Sequence, residues 1–546
     1  MQRRQFLHTA AGTAMAASSG PSLLGQGKRS SRPNIVLIMA DDMGFSDLGC
    51  YGSEIETPNL DRLAAGGVKF TQFQNTARCC PTRSSLLTGL YSHQTGIGHM
   101  VADNGHPSYR GEINNRCVTI AEVLKGAGYR TGMCGKYHVT HENYDHKENW
   151  PRQRGFDSFY GTIPGGGNMF NPHGLVRDNE VIKPEGKDYY YTDALSQEAA
   201  KFVQAQGGTA ASPFFLYLAY TAPHWPIQAH EAEIRKYQDR YRIGWDVLRE
   251  QRWARQIKLG VVKKEWGLAP RDPKIPAWRD ITNKDWHARR MAVYSAMIDR
   301  MDQGIGQVIK AVDAAGQRDN TLFLFLADNG GCAEGWDAEG IKRYAGTTLD
   351  GRTVRLGNNP AVMPGPGDTF QSYGPEWAHA SNTPFRLYKH WEHEGGISTP
   401  LIAHWPAGIS KPGRVDHQHG HLIDIMATAV DVAGAQYPKT SRGEAITPME
   451  GKSLQPILAG KRRDEHRAVF WEHEGHRAVR MGKFKLVAEY KKPWELYDME
   501  ADRTELHNLA ATMPDRVTAM AAQWDAWASR VGVVDYDTIR RQRPTA

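Results

Sequence analysis

The sequence predicts a doubly wound α/β fold, and three observations predict it. Continuous apolar runs recur at residues 35–39, 214–218 and 322–326, with a shorter one at 401–403. Such uninterrupted runs mark strands buried on both faces of a parallel sheet. Helical periodicity lies between them, clearest from Tyr294 past Val312, where Met297, Ile298, Met301, Ile305, Val308, Ile309 and Val312 recur at three- and four-residue steps. The runs also end alike: the first leads into Asp41-Asp42, the second reaches Pro223-His224, and the third gives Asp328-Asn329-Gly330. Ligands of such sheets sit at the carboxyl ends of strands, so carboxylates, an amide and an imidazole are predicted to meet at one edge.

In chain order, Arg3-Arg4-Gln5-Phe6-Leu7 precedes a small, weakly apolar stretch that contains Ala14-Met15-Ala16. Residues 1–30 therefore read as a twin-arginine-type signal segment, which predicts a periplasmic or secreted protein. Residues 31–450 are predicted to form the main α/β domain, with two inserts. The first, about 230–290, is rich in Arg, Lys and Glu with several Trp, and predicts mobile helices beside the site. The second, about 340–383, is rich in Gly, Pro and Asn and predicts long loops. Over 451–546 the pattern changes to short strands at 468–471, 478–480, 484–487 and 495–497. A helix from about Pro514 follows, with Val517, Met520, Trp524 and Trp527 on one face. This predicts a smaller α+β C-terminal subdomain.

Composition narrows the function classes. Over 546 residues, 40% are hydrophobic and 23% charged, which are ordinary globular values. The net charge of +7 is scattered; it is compatible with anionic substrates but lacks the basic stripe of a nucleic-acid-binding surface. After the leader no stretch reaches the roughly 18 apolar residues of a membrane span. Six cysteines are too few for a disulfide framework and lack paired zinc-ligand spacing.

One of those cysteines opens the decisive segment, Cys79-Cys80-Pro81-Thr82-Arg83, continuing through Ser84-Ser85-Leu86-Leu87 to Thr88-Gly89. It resembles the C-x-P-x-R signature of type I sulfatases, in which a dedicated enzyme oxidises the first Cys to formylglycine. Only Cys79 fits the frame, because starting at Cys80 puts Pro81 one residue early. Further blocks carry the resemblance: residues 34–52, Thr57-Pro58-Asn59-Leu60-Asp61, 128–138, Arg154-Gly155-Phe156-Asp157, Ala222-Pro223-His224, Ala327-Asp328-Asn329-Gly330, and Thr383-Pro384-Phe385-Arg386 through Lys389 to Glu394-Gly395-Gly396. Residues 241–262 look like those of bacterial arylsulfatases. The resemblance implies an alkaline-phosphatase-like fold, with a mixed, mostly parallel sheet flanked by helices, and sulfate-ester hydrolysis. Tyr137 and Val139 depart from the family's usual Trp and Leu, both apolar exchanges.

The chemistry explains why these residue types belong together. An aldehyde hydrate offers two hydroxyls on one carbon: one attacks sulfur, and deprotonating the other expels sulfate and restores the aldehyde. A thiol lacks that release step. Asp41, Asp42, Asp328 and Asn329 form an all-oxygen donor set, which favours Ca²⁺ or Mg²⁺ over zinc. The resemblance selects one Ca²⁺ per chain, with modified Cys79 as a further ligand. It also implies that Arg83 holds residue 79, Lys136 binds sulfate, and His138 takes the proton from the second hydroxyl. Lys389 and His224 would contact the leaving-group oxygen, His224 as general acid. On an extended segment Lys136 and His138 face one side. His390, Trp391, His393, Trp225 and Trp377 are either pocket-lining or core residues, and Gly165-Gly166-Gly167 reads as a flexible loop. The implied partners are a sulfate ester, aryl, alkyl or carbohydrate, and a formylglycine-generating enzyme, with no nucleic acid and no membrane span. A formylglycine-dependent phosphonate monoester or phosphodiester hydrolase is the alternative enzyme, and a catalytically silent sulfate-ester-binding protein the alternative of another class.

Overall fold

The computed structural model describes residues 32–207 and 212–541; the twin-arginine segment expected at 1–30 lies outside them. Strands β1 (Asn34–Ala40), β2 (Val68–Gln74), β3 (Arg130–Lys136), β4 (Ser158–Thr162), β5 (Leu175–Arg177), β6 (Glu180–Val181), β7 (Phe214–Ala219) and β8 (Thr321–Ala327) supply most of an 11-stranded mixed sheet. At its centre β8, β1, β7, β3 and β4 run parallel in that order. The strand Ser398–His404, predicted from its short apolar run, lies between β8 and β2 and is antiparallel to both.

Every residue of β1, β7 and β8 is buried, as continuous apolar runs require. The side-chain period of two then splits them between two cores. Val36, Ile38, Leu216, Leu218, Phe323 and Phe325 enter one, and Ile35, Leu37, Phe215, Tyr217, Leu322 and Leu324 the other. The first core is covered by helices Tyr191–Ala205 and Lys284–Ala314, the second by Cys79–Thr88, Ile120–Gly126 and Asp424–Ala433.

The long helix begins ten residues before the predicted Tyr294, because Trp286, Arg290 and Met291 are buried by tertiary packing that periodicity cannot register. The charged stretch 230–290 is likewise packed rather than loose. Helix Gly244–Lys258 buries Trp245, Leu248 and Arg252, and Arg252 pairs with Asp47 at 2.6 Å and Glu54 at 2.7 Å. Residues 340–383 are largely irregular, as predicted, with a short ribbon and the helix Gly374–Ser381.

All four predicted C-terminal strands are present, at Val469–His473, His476–Met481, Phe484–Ala488 and Glu495–Asp498, and form an antiparallel sheet in chain order. The helix Pro514–Val531 packs on it, and Met520, Trp524 and Trp527 join the second core. On the sheet's other side, Trp471 donates from Nε1 to the Asn75 carbonyl at 2.8 Å, just before the Cys79 segment. No helix among the described residues is long and apolar enough to cross a membrane.

Candidate active site

Four adjacent parallel strands end on one edge, and the chain leaving each brings one part of a buried polar cluster. β1 delivers Asp41 and Asp42, β8 Asp328 and Asn329, β3 Lys136 and His138, and β7 leads to His224. Cys79 is the first residue of the helix Cys79–Thr88, and Arg83 lies one turn on. A helix N-terminus presents free N–H groups and a positive partial charge, so residue 79 sits where an anion is favoured.

The contacts knit these segments together. Arg83 donates to Asp328 Oδ2 from Nε at 3.2 Å and from Nη2 at 2.7 Å, and its Nη1 donates to the Lys136 carbonyl at 3.0 Å. Lys136 Nζ lies 2.6 Å from Asp41 Oδ2. Lys389, from the loop before Ser398–His404, lies 2.7 Å from Asp42 Oδ1. Asn329 Nδ2 donates to the same oxygen at 2.7 Å, and His224 Nε2 is 3.4 Å from Asp42 Oδ2. All ten predicted site residues are buried and lie at this edge. His138 differs from its predicted extended geometry: its backbone is left-handed, at φ 53°. That turn swings its ring toward the cysteines, leaving Nε2 3.3 Å from Cys80 Sγ.

Whether this site suits a metal is decided by its acceptors. Asp41 Oδ1 and Asn329 Oδ1 are buried without a hydrogen-bond partner among the described residues, and native proteins rarely leave such lone pairs unsatisfied. Burial holds the Asp41 carboxyl above its ordinary range despite Lys136. Burial and the Asp41 charge push Asp328 up to about 7 despite Arg83. Burial acts on Asp42 too, but Lys389 and His224 outweigh it and hold that carboxyl low. Crowded oxygen donors with two orphaned acceptors fit a hard divalent cation.

Around Cys79 the field has the opposite sense. A hydrogen bond from Cys80 holds the Cys79 thiol well below its usual range, against burial, and Lys136 and His138 add to the effect. Cys79, Cys80 and His138 offer atoms within 4.8 Å of one another. Burial lowers both His138 and His224 to about 4, so both rings are neutral near pH 7.

Three contributions escaped the sequence reading. Glu334, six residues past Asp328, pairs with Arg78 at 2.9 Å, accepts Trp225 Nε1 at 2.8 Å and lies 3.9 Å from Lys389; its place just beyond a strand end was the available signal. Gly165 and Gly166 pack over the two histidines: a Cβ on the first would come within 2.3 Å of His138, and on the second within 3.0 Å of His224. The glycine run is thus a close-fitting cover. Cys80 touches His138, which no local pattern announces. Of the aromatic candidates, Trp225 faces Trp336, Tyr344 and Phe370 at ring distances of 5.7, 5.6 and 5.8 Å, making a wall beside His224. Trp377 packs in the core against Tyr241, Trp245 and Trp278. His393 is held by Glu495 at 3.3 Å.

Comparison with known proteins bears on the family of the whole chain. The chain matches the family model Sulfatase over residues 33–435, and that of the N-sulphoglucosamine sulphohydrolase C-terminal region over 385–523. It is 34% identical to an uncharacterised sulfatase of Schizosaccharomyces pombe, over 92% of this chain and 95% of that one. It is 33% identical to an arylsulfatase of Klebsiella aerogenes, over 82% of this chain and 97% of that one. Among solved structures it is similar to Ps i-CgsB in complex with k-i-k-neocarrahexaose, with a TM-score of 0.64 and 25% identity, over 91% and 93% of the two chains.

Proposed function

We infer, from the premise that this chain belongs to the sulfatase family and hydrolyses sulfate esters, that its nucleophile is a formylglycine made from Cys79. We infer also that Asp41, Asp42, Asp328 and Asn329 hold one Ca²⁺ beside that residue. The observation that carries this reading is the pair of orphaned acceptors, Asp41 Oδ1 and Asn329 Oδ1, within the buried cluster that also holds Arg83, Lys136 and Lys389. The cation, when bound, supplies charge to the ester oxygens and acidifies the nucleophile. The aldehyde hydrate supplies one oxygen to attack sulfur and a second hydroxyl to release sulfate.

The chain's own groups then divide the work. Lys136 and Lys389 are fixed by Asp41 and Asp42, so their charges are set in place before the anion arrives. His138 is neutral near pH 7 and its buried Nδ1 lacks a partner, which suits it to take a proton. His224 shares its Nδ1 proton with the Trp225 carbonyl, which turns Nε2 toward Asp42 and the leaving group. Burial leaves this ring unprotonated, and the negative charge of a sulfate ester raises its affinity for the proton it must donate. The Trp225 wall suits a flat or apolar leaving group. The Klebsiella relative, an arylsulfatase, supports an aryl sulfate, and the neocarrahexaose complex of Ps i-CgsB supports a carbohydrate ester as the other candidate. Maturation by a formylglycine-generating enzyme and twin-arginine export to the periplasm or beyond complete the reading.

Mass spectrometry of the peptide bearing residue 79, with turnover of aryl sulfates of graded leaving-group pKa, tests it. Activity should scale with aldehyde content, and His224→Ala should slow poor leaving groups more than good ones. Full activity with an intact thiol, or faster turnover of a phosphodiester with the same leaving group, would overturn it.

A further inference from the structure

A second cluster lies beside the first, made of residues that the sulfate-ester chemistry does not use. His473 and Glu474 close the hairpin between strands Val469–His473 and His476–Met481. His99 comes from the segment after helix Ser92–Thr95, and His390 follows Lys389. Glu474 takes an imidazole on each oxygen: His99 Nε2 at 2.6 Å from Oε1 and His390 Nε2 at 3.0 Å from Oε2. The His99 and His473 rings stack at 5.4 Å and 7°, and His390 meets His473 edge-on at 5.6 Å. His99, His473 and Glu474 each offer a donor atom within 4.8 Å of the others.

Independently of that packing, His473 is 0% exposed and neither ring nitrogen has a hydrogen-bond partner among the described residues. A neutral imidazole carries one donor and one lone pair, and burying both unsatisfied is a standing cost of the fold. The backbone points the same way. Glu474 opens the two-residue turn at φ 51° with Gly475 next at φ 81°, a position that favours Asn, Asp or Gly. His390 is left-handed as well, at φ 95°. Two non-glycine residues hold disfavoured conformations, and their side chains meet at 3.0 Å.

We propose that His99, His390, His473 and Glu474 bind one borderline divalent transition-metal ion of the Zn²⁺ class. Three imidazoles and a carboxylate are the donors that such ions select, whereas the oxygen-only cluster at the strand ends selects a hard cation. Donors at 2.0–2.1 Å from a tetrahedral ion stand about 3.3 Å apart, so the His99–Glu474 pair opens by about 0.7 Å on metal entry. The bound ion joins the C-terminal hairpin to two pieces of the active-site rim. His390 N donates to the Ala77 carbonyl at 2.8 Å, two residues before Cys79, and Lys389 precedes it. The inference does not depend on the chemistry assigned to Cys79.

The test uses full-length protein stripped with chelator and returned to excess Ca²⁺, then titrated with Zn²⁺ by calorimetry and counted by elemental analysis. One equivalent should bind, and should still bind in a Cys79→Ser/Cys80→Ser double variant, which removes the thiols of the neighbouring Cys79, Cys80 and His138 group. His473→Gln and Glu474→Gln should each weaken binding about 100-fold or more, with circular dichroism confirming the fold. Co²⁺ loading of the wild type guards against variants that fail to fold, and its spectrum should lack a thiolate charge-transfer band. No zinc uptake, uptake unchanged in both hairpin variants, uptake lost only with the cysteines, or a thiolate band would each overturn the proposal.

Discussion

The loop from Lys389 to Glu394 enters two buried charge clusters of similar composition, and they are completed differently. Glu394, Glu505, Lys485 and Arg503 lock the C-terminal sheet to this loop, all with fully buried side chains. Glu394 Oε1 accepts from Gln74 at 2.6 Å and Lys485 at 3.0 Å, and Oε2 from Ser398 at 2.6 Å and Arg503 at 3.1 Å. Glu505 is paired through both oxygens, with Lys485 at 2.8 Å and the Glu394 amide at 3.0 Å. At Lys389 the pattern breaks, because Asp41 Oδ1 and Asn329 Oδ1 are buried with no hydrogen-bond partner among the described residues. A cluster that serves folding satisfies its own acceptors; one that serves a ligand leaves lone pairs for it at a cost in stability.

Substitution should separate the two on activity and on stability. Cys79→Ala, beside the open cluster, should lower kcat by about 10⁴-fold or more with little change in melting temperature, because the nucleophile acts as a unit with its neighbours. Lys485→Met, in the closed cluster, should do the reverse. Leaving Glu394 and Glu505 without their shared cation should cost about 3–5 kcal/mol of unfolding free energy, measured by urea titration, while KM for an aryl sulfate stays put in the folded fraction. A Lys485→Met enzyme that is stable but inactive would place Lys485 in the chemistry and erase the distinction.

Calcium sharpens the contrast. A ligand that binds only the folded state at 100 times its Kd adds about 2.7 kcal/mol. Calorimetry with and without chelator should show an increment of that order in the wild type and in Lys485→Met, and none in Asp41→Asn. Acid should act on the closed cluster instead. Burial alone would raise Glu394, but Lys485 and Arg503 outweigh it and draw the carboxyl down to about 2. A folded-state value below the unfolded one contributes stability above about pH 4.5 and loses it as the pH falls toward 2. Glu394→Gln should flatten that part of the stability–pH curve, and an unchanged slope would show that other carboxylates set it.

What the sequence made legible follows the range of the forces involved. β1, β7 and β8 announce themselves because full burial demands apolar residues at every position, and Asp41-Asp42, Asp328-Asn329 and Cys79 through Arg83 are local strings at strand ends. Arg252 lay hidden in a charged stretch read as mobile helices, since only tertiary structure supplies Asp47 and Glu54. Glu334 and Gly165 were missed for the same reason: each matters through a neighbour far along the chain. The His99 cluster is the extreme case, with three separated segments and no local pattern of metal-ligand spacing in any of them.

Cys80→Ala is the smallest effect and the most searching. Cys80 adjoins Cys79, is buried like it, and touches the proposed base His138 at 3.3 Å. If its role is to orient that ring through one weak neutral contact, losing it removes about 0.5–1.5 kcal/mol, at most about 10-fold in kcat. Cys79→Ala, in the same helix turn, should remove nearly all turnover. Aldehyde content at residue 79 must be measured in Cys80→Ala, so that failed maturation is not mistaken for lost catalysis. A loss in Cys80→Ala as deep as that in Cys79→Ala, with residue 79 fully converted to aldehyde, would mean that the two positions act jointly and that the nucleophile does not belong to residue 79 alone.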